Sequence, residues 1–247
     1  MADDRGEVRG RGWAPVTRAR TYELVLDRIE EQIASGRLRA GDRLPAERDL
    51  AAALGVSRVA VREAMRVLQA MGLITQGTGS GRESGTLLTA APGEALTRLI
   101  RMHVLVASVG SHDLISARIT LERESARLAA SAASAEDHEQ LADALRALED
   151  PATSPVAFND ADTAFHVAIA RASGNSLVAE LTTALRNAMR VPLLERLEGD
   201  ADFAATAAQL SAEHRAVYEA LLAGDGDRAA DLVQAHIAGF YQRHGLA

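Results

Sequence analysis

The 247-residue chain has no cysteine and no lysine, so all 27 of its basic residues are arginine. Without cysteine there are no disulfides and no thiolate metal sites, which leaves any metal to histidine and carboxylate ligands. Aromatic residues make up only 3%, so a core has to be built from Ala, Leu, Val and Ile. No apolar run reaches the ~18 residues that a membrane-spanning helix needs. The polar first twenty residues lack the apolar stretch of a secretory signal. The expectation is a cytoplasmic protein with no membrane partner.

The remaining composition is that of a globular protein, 47% hydrophobic and 25% charged, and the chain is long enough for two cores. Charge is unevenly spread. Residues 1–89 hold 14 Arg against 12 acidic residues, whereas residues 90–247 hold 13 Arg against 22, giving the net −7. The acidic total therefore leaves nucleic-acid binding open to the N-terminal part.

Tyr22 to Ser35 places Leu24, Leu26, Ile29 and Ile33 at helical spacing, with Gly36 as the stop. A turn-rich stretch, RLRAGDRLP, leads to a second helix, AERDLAAAL, broken at Gly55. Ser57 suits the N-cap of a third helix over Arg58–Met71, with an apolar face of Val61, Ala64, Met65 and Leu68. Two helices across a tight Gly-containing turn form a helix-turn-helix. LITQ and TLLT then flank a Gly-rich tip and read as a β-hairpin wing. After Pro92 the chain shows only helical segments, about 93–109, 111–133, 135–149, 155–173, 176–197, 202–223 and 226–243. The fold class is mainly α, with a flexible arm over 1–19, a winged helix-turn-helix over 20–90 and an all-α bundle of about seven helices over 91–247.

Ser57, Arg58 and Arg62 cluster at the start of the third helix, with Arg66 one turn on, beside the apolar stripe rather than on it. There a recognition helix meets base edges, and arginine can clamp guanine or pair with phosphate. Arg48 on the second helix is placed for a backbone phosphate. The tip Thr78-Gly79-Ser80-Gly81 offers backbone N–H groups and little bulk. A solvated arginine face would look the same in isolation, but the order helix, turn, helix, wing argues for duplex DNA.

In the second half, Asp162 and His166 lie four apart on one helical face. His214 and His236 lie at nearly equal distances from the turn AGDGD, so an antiparallel helix pair sets them side by side. Three imidazoles and a carboxylate make a site for a divalent transition metal, with zinc foremost and nickel or manganese as alternatives. Asp160 is a candidate outer partner. The plain alternative is a set of histidines engaged in ordinary hydrogen bonds.

The stretch GDRLPAERDLAAALGVSRVAVREAMRVLQAMGLITQGTGSG resembles the winged-helix signature of the GntR family of bacterial regulators over residues 20–90. The resemblance implies DNA contacts at Arg48, Ser57, Arg58, Val59, Arg62, Thr78 and Gly79. The wing departs from the family pattern in its GRESG insertion. Residues 93–243 resemble the FadR-type effector domain of that family, the FCD domain, whose metal-binding members use an Asp, a His four residues later and two His on the last two helices. Asp162, His166, His214 and His236 match that pattern.

SARITLERESARLAA resembles the family's early effector-domain helix, which places Arg118 at the pocket. The other reading of Arg118 is an i,i+4 salt bridge to Glu122. Arg186 and Arg190 are further pocket candidates. An Arg near a metal traps carboxylates, so the expected effector is a small hydroxy, oxo or sugar acid. It would shift how well a homodimer's two recognition helices match the half-sites of a near-palindromic operator, about one turn of DNA apart. The expectation is a non-enzymatic, ligand-responsive regulator acting as a repressor. The rivals are a metalloenzyme carrying a DNA-binding module, a pure metal sensor and a purely structural metal. No general-base motif such as H-E-x-x-H supports the enzyme.

Overall fold

The structure, a computed structural model, describes residues 21–77, 85–89, 93–106 and 110–244. The chain divides into two compact units between residues 90 and 91.

The first unit holds α1 (Thr21–Ala34), α2 (Glu47–Leu54), α3 (Arg58–Ala70) and an antiparallel pair, β1 (Ile74–Gly77) with β2 (Gly85–Leu88). Gly55 ends α2 at φ 65°, a left-handed conformation that glycine adopts without a Cβ clash. Two residues later the Ser57 hydroxyl accepts the Ala60 N–H at 3.2 Å and starts α3. These two residue choices fix the helix-turn-helix. Val61, Ala64, Met65 and Leu68 face Val25 and Ile29 of α1 together with Ile74 and Leu88 of the hairpin.

Two details depart from expectation. α1 packs chiefly on α3, and its inward stripe is Val25 and Ile29, while Leu24 is 51% exposed and Ile33 lies at the margin. A helix with a single partner buries a narrow stripe, so the outer members of a helical set stay in water. Second, the segment read as turn-rich carries a short extended piece that joins the wing. Gly41 N–H donates to Leu88 O (2.8 Å), Leu44 N–H to Thr86 O (2.9 Å) and Leu88 N–H to Asp42 O (2.8 Å), with Arg43 bridged to Leu87. Pro45 pushes the residue before it toward extended backbone, which supplies the local cause.

The second unit is helical throughout its described residues: α4 (Gly93–Leu105), α5 (Ser111–Ala132), α6 (Ala135–Leu148), α7 (Pro155–Ala172), α8 (Ser176–Glu198), α9 (Phe203–Leu222) and α10 (Gly226–Arg243). The starts of α6 to α10 each carry their own signal. Ser134 forms a capping box with Asp137, Ser154 caps a helix with Pro155 in its first turn, and Asn175, Asp202 and Asp225 cap the next three through their side-chain oxygens. α5 packs on α10, α7, α8 and α9, α7 packs between α6 and α8, and α4 rests on α8. Gly226 allows α10 to approach α5 closely: a Cβ there would sit 2.5 Å from the Arg127 carbonyl oxygen. The scarce aromatics Phe158, Phe165, Phe240 and Tyr241 are all buried here. No helix among the described residues is long and apolar enough to cross a membrane.

Candidate DNA-reading face and metal centre

The α3 face carries exposed Arg58 and Arg62, and Val59 is 74% exposed. Arg62 donates from Nε (3.1 Å) and Nη2 (3.0 Å) to Glu47 Oε2, tying α3 to α2. Arg48 pairs with its neighbour Asp49 at 2.9 Å. Both are solvent-screened surface ion pairs of little net worth, so either arginine can be handed to a stronger anion. Ser57 is committed to its cap. Thr78 and Gly79 lie outside the described residues.

In the bundle, α7 brings Asp162 and His166 to one face, and α9 and α10 bring His214 and His236 to meet them. One ligating atom from each of the four lies within 4.8 Å of every other. Asp162 Oδ1 is 3.0 Å from His214 Nε2, 3.8 Å from His166 Nε2 and 3.9 Å from His236 Nε2. The three Nδ1 atoms point outward. That of His214 is 2.7 Å from the Leu210 carbonyl oxygen and that of His236 is 2.7 Å from Glu213 Oε2. His166 Nδ1 is 2.7 Å from Glu122 Oε2, close although not in line with the N–H bond.

Oxygen acceptors on Nδ1 place the proton there and leave each Nε2 as a lone pair aimed inward. His166 Nε2 and His214 Nε2 then face each other at 3.2 Å. Two lone pairs at that distance repel unless a cation or a proton lies between them. This donor set therefore fits a divalent transition metal.

The electrostatics agree. Burial, and then Arg186, pushes His166 down to about 3, so it stays a neutral imidazole. Burial and the neighbouring His236 lower His214. For His236 burial works downward, but the nearby carboxylates of Asp162 and Glu213 outweigh it and raise the ring. Burial alone would raise Asp162, yet Arg186 and the His214 and His236 contacts hold it well below the usual carboxylate range.

Around the ligands runs a buried ion network. Arg118 Nε donates to Glu122 Oε1 at 2.9 Å, and its Nη1 donates to the Tyr241 hydroxyl. Arg186, 1% exposed, donates to both Glu122 oxygens (2.8 Å from Nη2 to Oε2) and from Nη1 to Asp162 Oδ2 at 2.7 Å. Asp162 thus presents Oδ1 to the histidines while Arg186 holds Oδ2. Burial opposes ionisation of Glu122, but Arg186 and Arg118 keep it well below the usual range.

A cavity of about 390 Å³ of empty space, mouth included, opens beside the ligands. Arg118, Asn159, Asp162, His236 and Tyr241 supply its polar lining.

Of the three arginines expected at the pocket, Arg118 is there, and the Arg118–Glu122 pair also exists, though buried instead of on a surface. Arg186 is not among the lining residues and its donors are taken by Glu122 and Asp162, so it holds a ligand in place. Arg190 Nε donates to Asp160 at 2.8 Å in an exposed pair outside the lining. Asp160 is therefore not a partner of the histidines. Glu122, Glu213 and the Leu210 carbonyl take that place. Glu213 precedes His214 and sits only one residue further from the AGDGD turn than His236 does, so the hairpin that pairs the histidines also brings it near.

Residues 21–83 match the model described as bacterial regulatory proteins, gntR family, and residues 113–239 match the FCD domain. Among similar proteins, the HTH-type transcriptional regulator LutR of Bacillus subtilis (strain 168) is 32% identical over 83% of this chain and 92% of its own.

The chain belongs to the gntR family of bacterial regulatory proteins.

It is also 29% identical, over 89% of this chain and 84% of the other, to a protein of Escherichia coli (strain K12) named as a regulatory protein of an L-lactate dehydrogenase operon. The Uxu operon transcriptional regulator of the same strain is 33% identical over 66% of this chain and 62% of its own. The solved GntR structure from Streptococcus agalactiae shares the fold at TM-score 0.65 and 23% identity, covering 90% of this chain and 99% of that one. This gntR-family member is a DNA-binding transcriptional regulator with an FCD effector domain, and not an enzyme. Regulators of this family bind operators and typically dimerise.

Proposed function

We propose that this regulator represses transcription by holding a near-palindromic operator as a homodimer, and that a small carboxylate binding beside a metal in the FCD domain alters that hold. The observation that carries the reading is the convergence of Asp162, His166, His214 and His236 at the edge of a cavity that also contains Arg118.

Asp162, His166, His214 and His236 would hold the ion, with zinc the best match to three imidazoles and one carboxylate and nickel or manganese also accepted. Bound there, the metal supplies a Lewis-acidic position for a ligand oxygen. Asp162 and His236 line the cavity, so the centre opens onto it, unlike the closed geometry of a purely structural site. Arg118 directs its charge at the same space. Nε and Nη1 are taken by Glu122 and Tyr241, which fixes the guanidinium plane and leaves Nη2 for the acid.

At the DNA end, Arg62 exchanges its weak surface partner for phosphate or guanine, exposed Arg58 meets the same groups, Arg48 takes a phosphate, and exposed Val59 suits a thymine methyl. Thr78 and Gly79 complete the proposed contacts from the wing. The acid acts by favouring one placement of the paired DNA-binding units.

Operator binding measured by fluorescence anisotropy, on sites selected from random duplexes, tests this reading. Zinc-loaded protein should lose at least tenfold affinity with a small hydroxy acid present, and chelation should remove the response. An unchanged response after chelation would contradict the proposal, and release by zinc alone would establish a metal sensor instead.

A further inference from the structure

Resting on the proposed effector reading, we infer that the cavity selects a monocarboxylate with an aliphatic body, a 2-hydroxy or 2-oxo acid, over polyhydroxylated sugar acids and dicarboxylates. The lining outside the head group carries the argument. Phe158, Leu193, Leu197, Leu210, Ile237 and Phe240 form the rest of the wall. All six belong to the buried core of the bundle.

The polar groups are few and mostly committed. Asn159 donates its amide to the Arg190 carbonyl at 3.2 Å. The Tyr241 hydroxyl accepts from Arg118. A sugar acid carries four or five hydroxyls. One or two would find partners at Asn159 and Tyr241, and the others would lie unpaired against leucine, isoleucine and phenylalanine, each at a large desolvation cost.

Charge excludes the second class. Arg118 is the one cation in the lining, and the anions Asp162 and Glu122 flank it. With the proposed metal and Arg118 both taken up by the carboxylate and 2-oxygen of one head group, a second carboxylate on the ligand would enter an apolar wall with no cation left to meet it. An aliphatic substituent gains from burial there, about fourfold in affinity per added carbon that leaves water. The room beside the head group is narrow, which caps the series at short or branched chains.

The test is calorimetry of the zinc-loaded full chain with lactate, 2-hydroxyisovalerate, gluconate and malate. The expected result is 2-hydroxyisovalerate tightest, roughly tenfold above lactate, with gluconate and malate at least tenfold weaker than lactate. Gluconate or malate binding as tightly as 2-hydroxyisovalerate would overturn the inference and leave the proposed function standing. Binding of none of the four would overturn both. A Leu193→Asn chain that keeps one zinc per chain should narrow the preference for 2-hydroxyisovalerate over gluconate by tenfold. The same preference in that variant would overturn the inference as well.

Discussion

Arg186 and Arg190 stand one turn apart on α8, and replacing each with methionine separates their roles. Arg186 is buried between Glu122 and Asp162, with contacts of 2.8 and 2.7 Å. Arg186→Met keeps much of the volume and removes the charge, leaving two ionised carboxylates short of a partner inside the bundle. Breaking a buried pair in this way costs about 3–5 kcal/mol, a large share of the roughly 5–15 kcal/mol that holds a domain folded. Arg190 pairs with Asp160 at the surface, 37% exposed, and Arg190→Met should cost at most about 1 kcal/mol. Native-state hydrogen exchange of metal-free protein, read at the amides of α7 and α8, reports the bundle without interference from the other unit. In a thermal melt the Arg186 variant should fall by about 6–20 °C. Equal losses for the two variants, or a loss under about 1 kcal/mol for Arg186→Met, would refute the account of the ion network.

Zinc affinity should weaken as pH falls from 8 to 6, because a proton competes with the metal for His236, the one imidazole of the three whose pKa is raised. His166, depressed to about 3, should take no part in that range. Glu213→Gln removes a negative charge that helps raise His236 and should flatten the dependence, as a chelator-competition titration would read. At the other end of the chain, Arg58→Ala should cost about 1–3 kcal/mol of operator affinity if Arg58 reads a base. If it meets phosphate, the change should instead lower the slope of log K against log salt by about 1. Anisotropy at several salt concentrations distinguishes the two, and no change in either quantity would remove Arg58 from the interface.

What the sequence reveals depends on how far apart the cooperating residues lie. Helix starts were readable because Ser57, Ser134, Ser154, Asn175, Asp202 and Asp225 act on N–H groups three residues on. Asp162 with His166 follows from one helical turn, and His214 with His236 from a symmetric hairpin. Glu122 was legible only in its local role. Its second partner, Arg186, is 64 residues away, and no period or turn links them. The same distance hid the difference between Arg186 and Arg190, since a one-turn spacing says nothing of which faces the core when the helix is apolar on several sides. The strand-like contact of Gly41–Leu44 with β2 needed a partner more than forty residues on, although Pro45 hinted at the extended backbone. The exposure of Leu24 is not legible, because the apolar pattern does not reveal how many neighbours a helix has.

The central claim is that Asp162, His166, His214 and His236 act together as one metal site. Isothermal titration of chelator-treated protein with zinc tests it most directly, beside a doubly substituted Asp162→Asn, His214→Ala chain whose helical content matches the original. The account predicts one zinc per chain for the original and no measurable tight site in the variant. Tight binding of one equivalent by the variant, or none by the original, would contradict it.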